Sequence, residues 1–306
     1  MTLPKPSQRL AQAFAAALCY LLLAAALASC SRAQSAEDLV AKVLAARGGP
    51  DKLKAIQSQR VTGKISFGPG AEGPFIVQFQ RPLKMHMEIT VAGQTLVRVY
   101  DGKSAGWIIN PFSPDKSVHP MDDTDLRTIT DEADFDGPLL DYQSKGNKVE
   151  LAGKEEVDGK PVVKLKLTSK AGDVRTYIFD ASTYLLVKWE GQRQIDNQQV
   201  PIETVFSDYR DVGGVKFAFE IDSSSPGVNA RQNITIEKIE LNPQLDPAVF
   251  AKPPSPPSAS IAEPSAAPRR TANDSPLSAR PLFTLRSATE GTLLSTTNDS
   301  ADSDSI

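Results

Sequence analysis

The sequence predicts a mainly β fold with a few helices (α+β), namely an incomplete antiparallel β-barrel of about eleven strands covered by helices. Two observations lead to this prediction. From Arg60 onward, apolar and polar residues alternate with the period of a half-buried strand, and turn signals recur at short intervals. Two segments with helical periodicity interrupt the strands, so a curved sheet and helices that cover its apolar face are expected together.

The bulk composition excludes several classes of protein. The chain has 306 residues and a formal net charge of −3, so nothing strongly basic points to a nucleic-acid partner. Both cysteines, Cys19 and Cys30, lie near the start of the chain. The folded part is therefore expected to contain no disulfide and no thiolate metal site.

The N-terminal segment is typical of an export signal. Lys5 and Arg9 precede an apolar run from Leu10 to Leu27, interrupted by Gln12. The richest part of this run is shorter than the roughly 20 residues of a membrane span. We interpret residues 1–29 as a signal peptide.

The run ends in Leu27-Ala28-Ser29-Cys30, which resembles the lipobox of bacterial lipoproteins. The resemblance implies cleavage before Cys30, acylation of Cys30 and anchoring in a membrane, with residues 30–34 as a short linker. Ser31 in the following position is compatible with sorting to the outer membrane. Two alternatives remain: ordinary cleavage, for instance after Ala33, giving a soluble periplasmic protein, or an uncleaved anchor.

The predicted folded domain covers residues 35–252. It opens with a helix whose capping box pairs Ser35 with Asp38, followed by a second short helix over 51–57. A third helix is predicted from about Met121, and residues 246–250 are expected to close the domain with a helical turn. Residues 253–306 are rich in Pro, Ser and Thr and poor in large apolar residues, so a disordered tail is predicted there.

A stripe of apolar residues alternates toward one face of the predicted strands. Such a face either packs as an ordinary core or lines a cavity for a lipid chain, and flexible methionines suit an adaptable pocket. The candidate lipid-cavity residues are Phe75, Val77, Phe79, Met85, Met87, Ile89, Val97, Val99, Trp107, Leu165, Leu167, Leu185, Val187, Trp189, Phe217 and Phe219.

The polar residues give little support for catalysis. His86 and His119 are the two histidines, one on the polar side of a predicted strand and one in a Pro-rich loop. The acidic cluster over 122–136 lacks the spacing of a calcium-binding loop, so a solvated helix face is favoured. Asp134, Asp136 and Asp141 are interpreted as turn and capping residues rather than acid–base pairs. We therefore predict no enzyme activity, no catalytic residue, no cofactor and no metal.

Short phrases of the sequence resemble the LolA/LolB-like family of outer-membrane lipoprotein-sorting proteins. The phrases are Tyr100-Asp101-Gly102 with Trp107, the run from Ala133 to Tyr142, and Leu165-Lys166-Leu167-Thr168. The resemblance covers about residues 35–253 and implies a cavity that shields lipoprotein acyl chains in the periplasm. It also implies a cavity arginine that assists transfer, for which Arg60 is a weak candidate; a solvated surface position is favoured for Arg60.

The resemblance leaves the role open among three alternatives. The first is a lipid- or lipoprotein-binding protein of the periplasm or outer membrane, whose partners are acyl chains and the membrane that holds its anchor. The second is an envelope-stress sensor of the same fold that binds a periplasmic or membrane protein. An envelope enzyme is the least favoured alternative.

Overall fold

The structure is a computed structural model that describes residues 35–68, 70–195, 198–225 and 228–254, together with 284–285 and 293–294. The predicted signal peptide, Cys30 with its lipobox, the linker and nearly all of the predicted tail lie outside the described residues. Those expectations therefore stay predictions.

The domain is built on one open antiparallel sheet, which confirms the predicted fold class. Thirteen strands are joined in the order β6-β5-β4-β3-β2-β1-β13-β12-β11-β10-β9-β8-β7, so β6 and β7 form the two edges. The strands are β1 (Ser58–Ser66), β2 (Glu72–Gln80), β3 (Lys84–Val91), β4 (Gln94–Asp101), β5 (Gly106–Ile109), β6 (His119–Pro120), β7 (Lys148–Val157), β8 (Lys160–Thr168), β9 (Val174–Asp180), β10 (Leu186–Ile195), β11 (Gln198–Val212), β12 (Val215–Ser225) and β13 (Val228–Leu241).

Among the described residues, three α-helices accompany the sheet: α1 (Ala36–Ala46), α2 (Pro50–Ala55) and α3 (Asp123–Ala133). The predicted capping box is present in α1, because the Ser35 side chain accepts from the Asp38 amide and Asp38 accepts from the Ser35 amide. The turn after α1 is tightly placed, since a Cβ at Gly48, which has φ +124°, would collide with the Gly214 carbonyl. Helix α1 is thereby fixed beside the β11–β12 turn.

Side chains from most strands meet on the face of the sheet that the helices cover, which we call the helix-covered face. Helix α3 contacts β3, β4 and β5, whereas α1 contacts β7 at the other end of the sheet. Buried side chains of both helices, including Leu39, Val43 and Ile129, join one apolar cluster with the strand residues. The sheet and its helices therefore share a single core.

The opposite face of β3 and β4 is covered by a short 3₁₀ turn near the end of the domain. A 3₁₀ turn, Pro247–Phe250, contacts β3 and β4, and Phe250 is buried there. The Lys84 ammonium lies 5.7 Å from the centre of the Phe250 ring. Strand β4 consequently carries buried side chains on both faces, because Val99 is buried on this side, whereas the outer residues of β3 are half-buried.

The loop after α3 is held by three ion pairs, one within the loop and two to other parts of the fold. Its carboxylates each meet a different cation, so they do not form a pair of interacting carboxylates. The pairs are Asp134 with Lys145 at 2.5 Å, Asp136 with Arg81 at 2.6 Å and Asp141 with Lys54 at 2.8 Å. Asp134 is also the C-cap residue of α3, and Asp141 has the positive φ of a turn residue, so ion pairs add to the turn and capping positions that were predicted.

No helix among the described residues is both long enough and apolar enough to cross a membrane.

Candidate functional site

Most of the predicted apolar stripe lies on the helix-covered face. Cross-strand partners share a face, and the register places Val77 beside Met87 and Trp189 beside Tyr177. The stripe residues on this face are buried: Phe75, Val77, Phe79, Met85, Met87, Ile89, Leu165, Leu167, Trp189, Phe217 and Phe219. Whether they accept a lipid chain stays a prediction, since packing in a core gives the same burial.

Three members of the stripe lie on the opposite face. In the register of β3 with β4, Met87 faces Arg98, whereas His86 faces Val99 and Glu88 faces Val97. Trp107 is the partner of Val99 and shares its face. The inward residues of β4 are Leu96, Arg98 and Tyr100. Alternation alone does not show which face of β4 points inward. The 3₁₀ turn packs against the outer side of this strand, so apolar residues occur on both of its sides.

Leu185 and Val187 depart from the stripe for another reason. A register shift between Leu186 and Lys188 in the β9–β10 pairing marks a β-bulge. The bulge adds a residue to the strand and breaks strict alternation. Leu186 is buried in their place, at 6% exposure, while Leu185 and Val187 are half-buried.

Helix α3 is fastened to the sheet by a buried ion pair that the sequence did not reveal. Arg98 Nη1 of β4 donates to Glu132 Oε2 of α3 at 2.7 Å, and the two side chains are 3% and 1% exposed. Arg98 Nη2 has no hydrogen-bond partner among the described residues. The pair therefore joins a covering helix to the inner side of the sheet through one charged hydrogen bond.

Arg60, the weak sequence candidate for a cavity arginine, lies elsewhere. It is the register partner of Glu240 and Gln78, and its guanidinium is 3.5 Å from the Glu240 carboxylate. About a third of its side chain is exposed. Two arginines of the sheet lie on the helix-covered face instead: Arg98, the cross-strand partner of Met87, and Arg175, the cross-strand partner of Leu167.

A cleft of about 1330 Å³ opens between α3 and the ends of β9, β10 and β11. Most of the residues that line it are polar and they carry charges of both signs, including Arg127 and Asp131 of α3 and Arg175 of β9, while apolar atoms make up slightly more than half of the wall. Tyr100 and Glu132, which are buried, also line it. The cleft thus reaches from solvent to the ion pair that fastens α3.

The electrostatics of α3 set it apart from an ordinary surface helix. Asp122 caps its N-terminus by accepting from the Asp125 amide at 2.7 Å. Burial raises the pKa of Asp125, an effect that the charge of Arg98 opposes and that of Asp122 reinforces. The acidic segment is therefore only partly the solvated face that was predicted, because Glu132 and Asp125 turn toward the sheet.

The remaining chemical candidates lie apart from one another. His86 Nε2 is 3.2 Å from Glu88, and burial lowers the pKa of His86. His119 Nε2 is 3.2 Å from Asp115 near the β6 edge. Within the described part of the chain, no group of three or more His, Cys, Asp or Glu side chains is arranged to hold a metal ion.

Solved structures resemble this architecture along most of its length. A DUF1329 family protein from Desulfovibrio piger matches with a TM-score of 0.51 and 12% identity, covering 72% of this chain and 98% of its own. A LolA superfamily protein from Nitrosomonas europaea matches with a TM-score of 0.50 and 13% identity, covering 72% and 99%. The fold is LolA-like. The predicted resemblance is thereby confirmed for the fold.

Comparisons based on sequence give no such result. No protein-family model matches the chain, and no curated protein matches it. The likeness resides in the arrangement of the sheet and its helices, and a shared fold does not fix a shared role.

Proposed function

We propose that the chain is an exported lipid- or lipoprotein-binding protein of the bacterial periplasm or outer membrane, which shields acyl chains during lipoprotein sorting. The observation that carries the proposal is the position of α3. This helix covers a broad apolar sheet face, is fastened there by the Arg98–Glu132 pair and borders a cleft that reaches that pair.

In this proposal α3 acts as a lid. Its displacement breaks the ion pair and exposes apolar side chains such as Met87, Leu96 and Ile129, which an incoming acyl chain then covers. Separating a buried pair costs about 3–5 kcal/mol. Burying one methylene contributes about 0.8 kcal/mol. About five buried methylenes offset the cost, so a common acyl chain is long enough.

The location follows from the N-terminal signal. If Cys30 is acylated, the domain is held at the outer membrane facing the periplasm; if cleavage occurs elsewhere, it is a soluble periplasmic protein. Fatty-acid labelling of cells that express the native chain or Cys30→Ala distinguishes the two. Label that persists on Cys30→Ala would exclude acylation at this residue.

Lipid binding is tested with two exposed valines that differ in position. Val174 is 47% exposed and lines the cleft, whereas Val205 is 43% exposed and does not line it. We expect Val174→Glu to weaken binding of a fluorescent acyl probe several-fold, because it places a charge on the entry route, and Val205→Glu to leave binding unchanged.

Native mass spectrometry of the gently purified protein supplies the second measurement. We expect a bound lipid. A protein that is consistently empty and ignores the acyl probe would overturn the proposal, and specific recovery of a membrane protein by that empty chain would favour the sensor alternative.

A further inference from the structure

Four uncharged side chains form a continuous row across β10, β11, β12 and β13. The register pairs Trp189 with Thr204, Thr204 with Ser223, and Ser223 with Gln232. Direct cross-strand partners lie side by side on one face, which here is the helix-covered face. Their exposures are 2%, 0%, 2% and 2%, so the row lies within the core.

The hydrogen-bonding capacity of this row is only partly used. The Thr204 and Ser223 hydroxyl oxygens are 2.9 Å apart, and either can donate to the other. Whichever donates, the second hydroxyl keeps a hydrogen for another acceptor. Neither Nε2 nor Oε1 of Gln232 has a hydrogen-bond partner among the described residues. A buried amide with both atoms unpaired is unfavourable, which makes the row a place where a polar ligand group would be stabilised.

The surroundings define the charge of that group. On the same face, Ile221 faces Phe206 and Ile234 in the register, so the row continues into apolar side chains. The Arg175 guanidinium lies 5.2 Å from the Trp189 ring, at the cleft end of the row. An ionised group beside Gln232 would have no counter-charge from the row itself and would be strongly unfavourable. The group that fits there is neutral.

We propose that Gln232, with Ser223 and Thr204, binds the neutral ester or amide group at the head of an acyl chain. This inference rests on the proposed lipid-binding function and adds the part of the ligand that is recognised. Gln232 Nε2 donates to the ligand carbonyl, the uncommitted hydroxyl donates to a second acceptor, and Oε1 accepts from an amide N–H or a hydroxyl of the ligand. Arg175 and Gly191 line the cleft next to Trp189, so the row begins where the ligand enters.

Gln59 provides a matched control within the same protein. It is 1% exposed, and both of its amide atoms are also without partners among the described residues. Its cross-strand partners, Phe79 and Leu241, are apolar, so it belongs to no polar row. Replacing either glutamine with leucine removes a buried unpaired amide at similar volume. Both variants are therefore expected to fold and to show similar thermal stability.

The experiment uses the full chain and two probes of equal chain length: a monoacylglycerol, which carries a neutral ester, and the corresponding fatty acid, ionised at neutral pH. We expect Gln232→Leu to weaken monoacylglycerol binding about tenfold, the usual effect of losing one hydrogen bond. Fatty-acid binding should change little, because the carboxylate stays in the cleft. Gln59→Leu should leave both affinities unchanged, and Ser223→Ala should weaken the monoacylglycerol alone.

The outcomes separate this inference from the function on which it rests. If the native chain binds neither probe, the proposed lipid binding fails. If it binds both and Gln232→Leu and Ser223→Ala have the affinities of the native chain, only the assignment of the polar row is wrong. An equal loss in Gln59→Leu and Gln232→Leu would likewise overturn the assignment.

Discussion

Two arginine–carboxylate pairs in this protein differ in how completely their hydrogen bonds are made. Arg81 donates through all three guanidinium nitrogens, to the Ile56 carbonyl at 2.7 Å and to the two Asp136 carboxylate oxygens at 2.6 and 2.8 Å. Arg98 has one described hydrogen bond, at 2.7 Å to Glu132. Yet the Arg98 pair is the more deeply buried, at 3% and 1% exposure against 26% and 12%.

The comparison separates an ion pair that holds several elements together from one whose separation would release α3 alone. Arg81 connects the end of α2, the β2–β3 turn and the loop after α3, and its side chain also lies 4.9 Å from the Phe135 ring. Breaking it would release several elements together. The described hydrogen bond of Arg98 links α3 to β4, and its Nη2 has no hydrogen-bond partner among the described residues. A buried ion pair stabilises the fold less when some of its hydrogen-bonding groups have no partner.

The largest expected effect is on the Arg81 pair. Arg81→Met should lower the free energy of unfolding by about 3–5 kcal/mol, because Asp136 and the Ile56 carbonyl lose their donor within a partly buried site. Urea unfolding measures the change. Lys54→Met is the control, since the Lys54–Asp141 pair is 50% exposed on each side and should contribute no more than about 1 kcal/mol. An equal decrease in the free energy of unfolding in the two variants would show that the Arg81 pair contributes no more than an exposed ion pair.

The Arg98 pair should respond differently to single and double replacement. Glu132→Gln should lower stability by about 2 kcal/mol, because the buried guanidinium keeps an acceptor but loses its counter-charge. Arg98→Met combined with Glu132→Leu should lie within about 1 kcal/mol of the native chain, because a well-packed apolar pair replaces the buried charges.

The same two variants also test whether α3 acts as a lid. Glu132→Gln should release a bound acyl probe faster than the native chain does, as measured by stopped-flow displacement. If the double variant were less stable than Glu132→Gln, the pair would stabilise the fold as the Arg81 pair does. An unchanged release rate in Glu132→Gln would argue against α3 as the lid.

The smallest effect concerns a carboxylate that no arginine holds. The pKa of Asp180 is lowered to about 2, first by the Ser182 hydroxyl and then by the Thr183 amide, which both donate to it. A lowered pKa stabilises the fold above the ordinary aspartate pKa, and the contribution disappears as the pH falls toward the folded-state value. Solvent reaches this turn, so the contribution should be under about 1 kcal/mol.

Asp180→Asn isolates this contribution. The difference in unfolding free energy between the native chain and Asp180→Asn should be present at neutral pH and should shrink steadily below the ordinary pKa of aspartate. A difference that is the same at neutral and acidic pH would show that the charge of Asp180 is not its source.

Local features of the fold could be predicted from the sequence because their causes are local. The capping box at Ser35, the strands and the helix beginning after Asp122 follow from hydrogen bonding and periodicity within a few residues. The open sheet with covering helices was likewise confirmed, with thirteen strands where about eleven were expected.

Features that depend on distant partners were not predictable. The inner position of Arg98 depends on Glu132, 34 residues further along the chain. The outer position of Val99 depends on the segment that ends at Phe250, and a bulge after Leu186 changed which residues of β10 point inward. The polar row was missed because its members are single residues on separate strands, each unremarkable within its own alternating pattern.

The 3₁₀ turn at residues 247–250 has a practical consequence for measurement. Because Phe250 anchors the end of the domain on the side of the sheet away from α3, a dye or tether attached at the exposed position 252 lies behind the sheet. Surface immobilisation through position 252 leaves the cleft facing the solution, so probe exchange can be followed without hindering the movement of the helix.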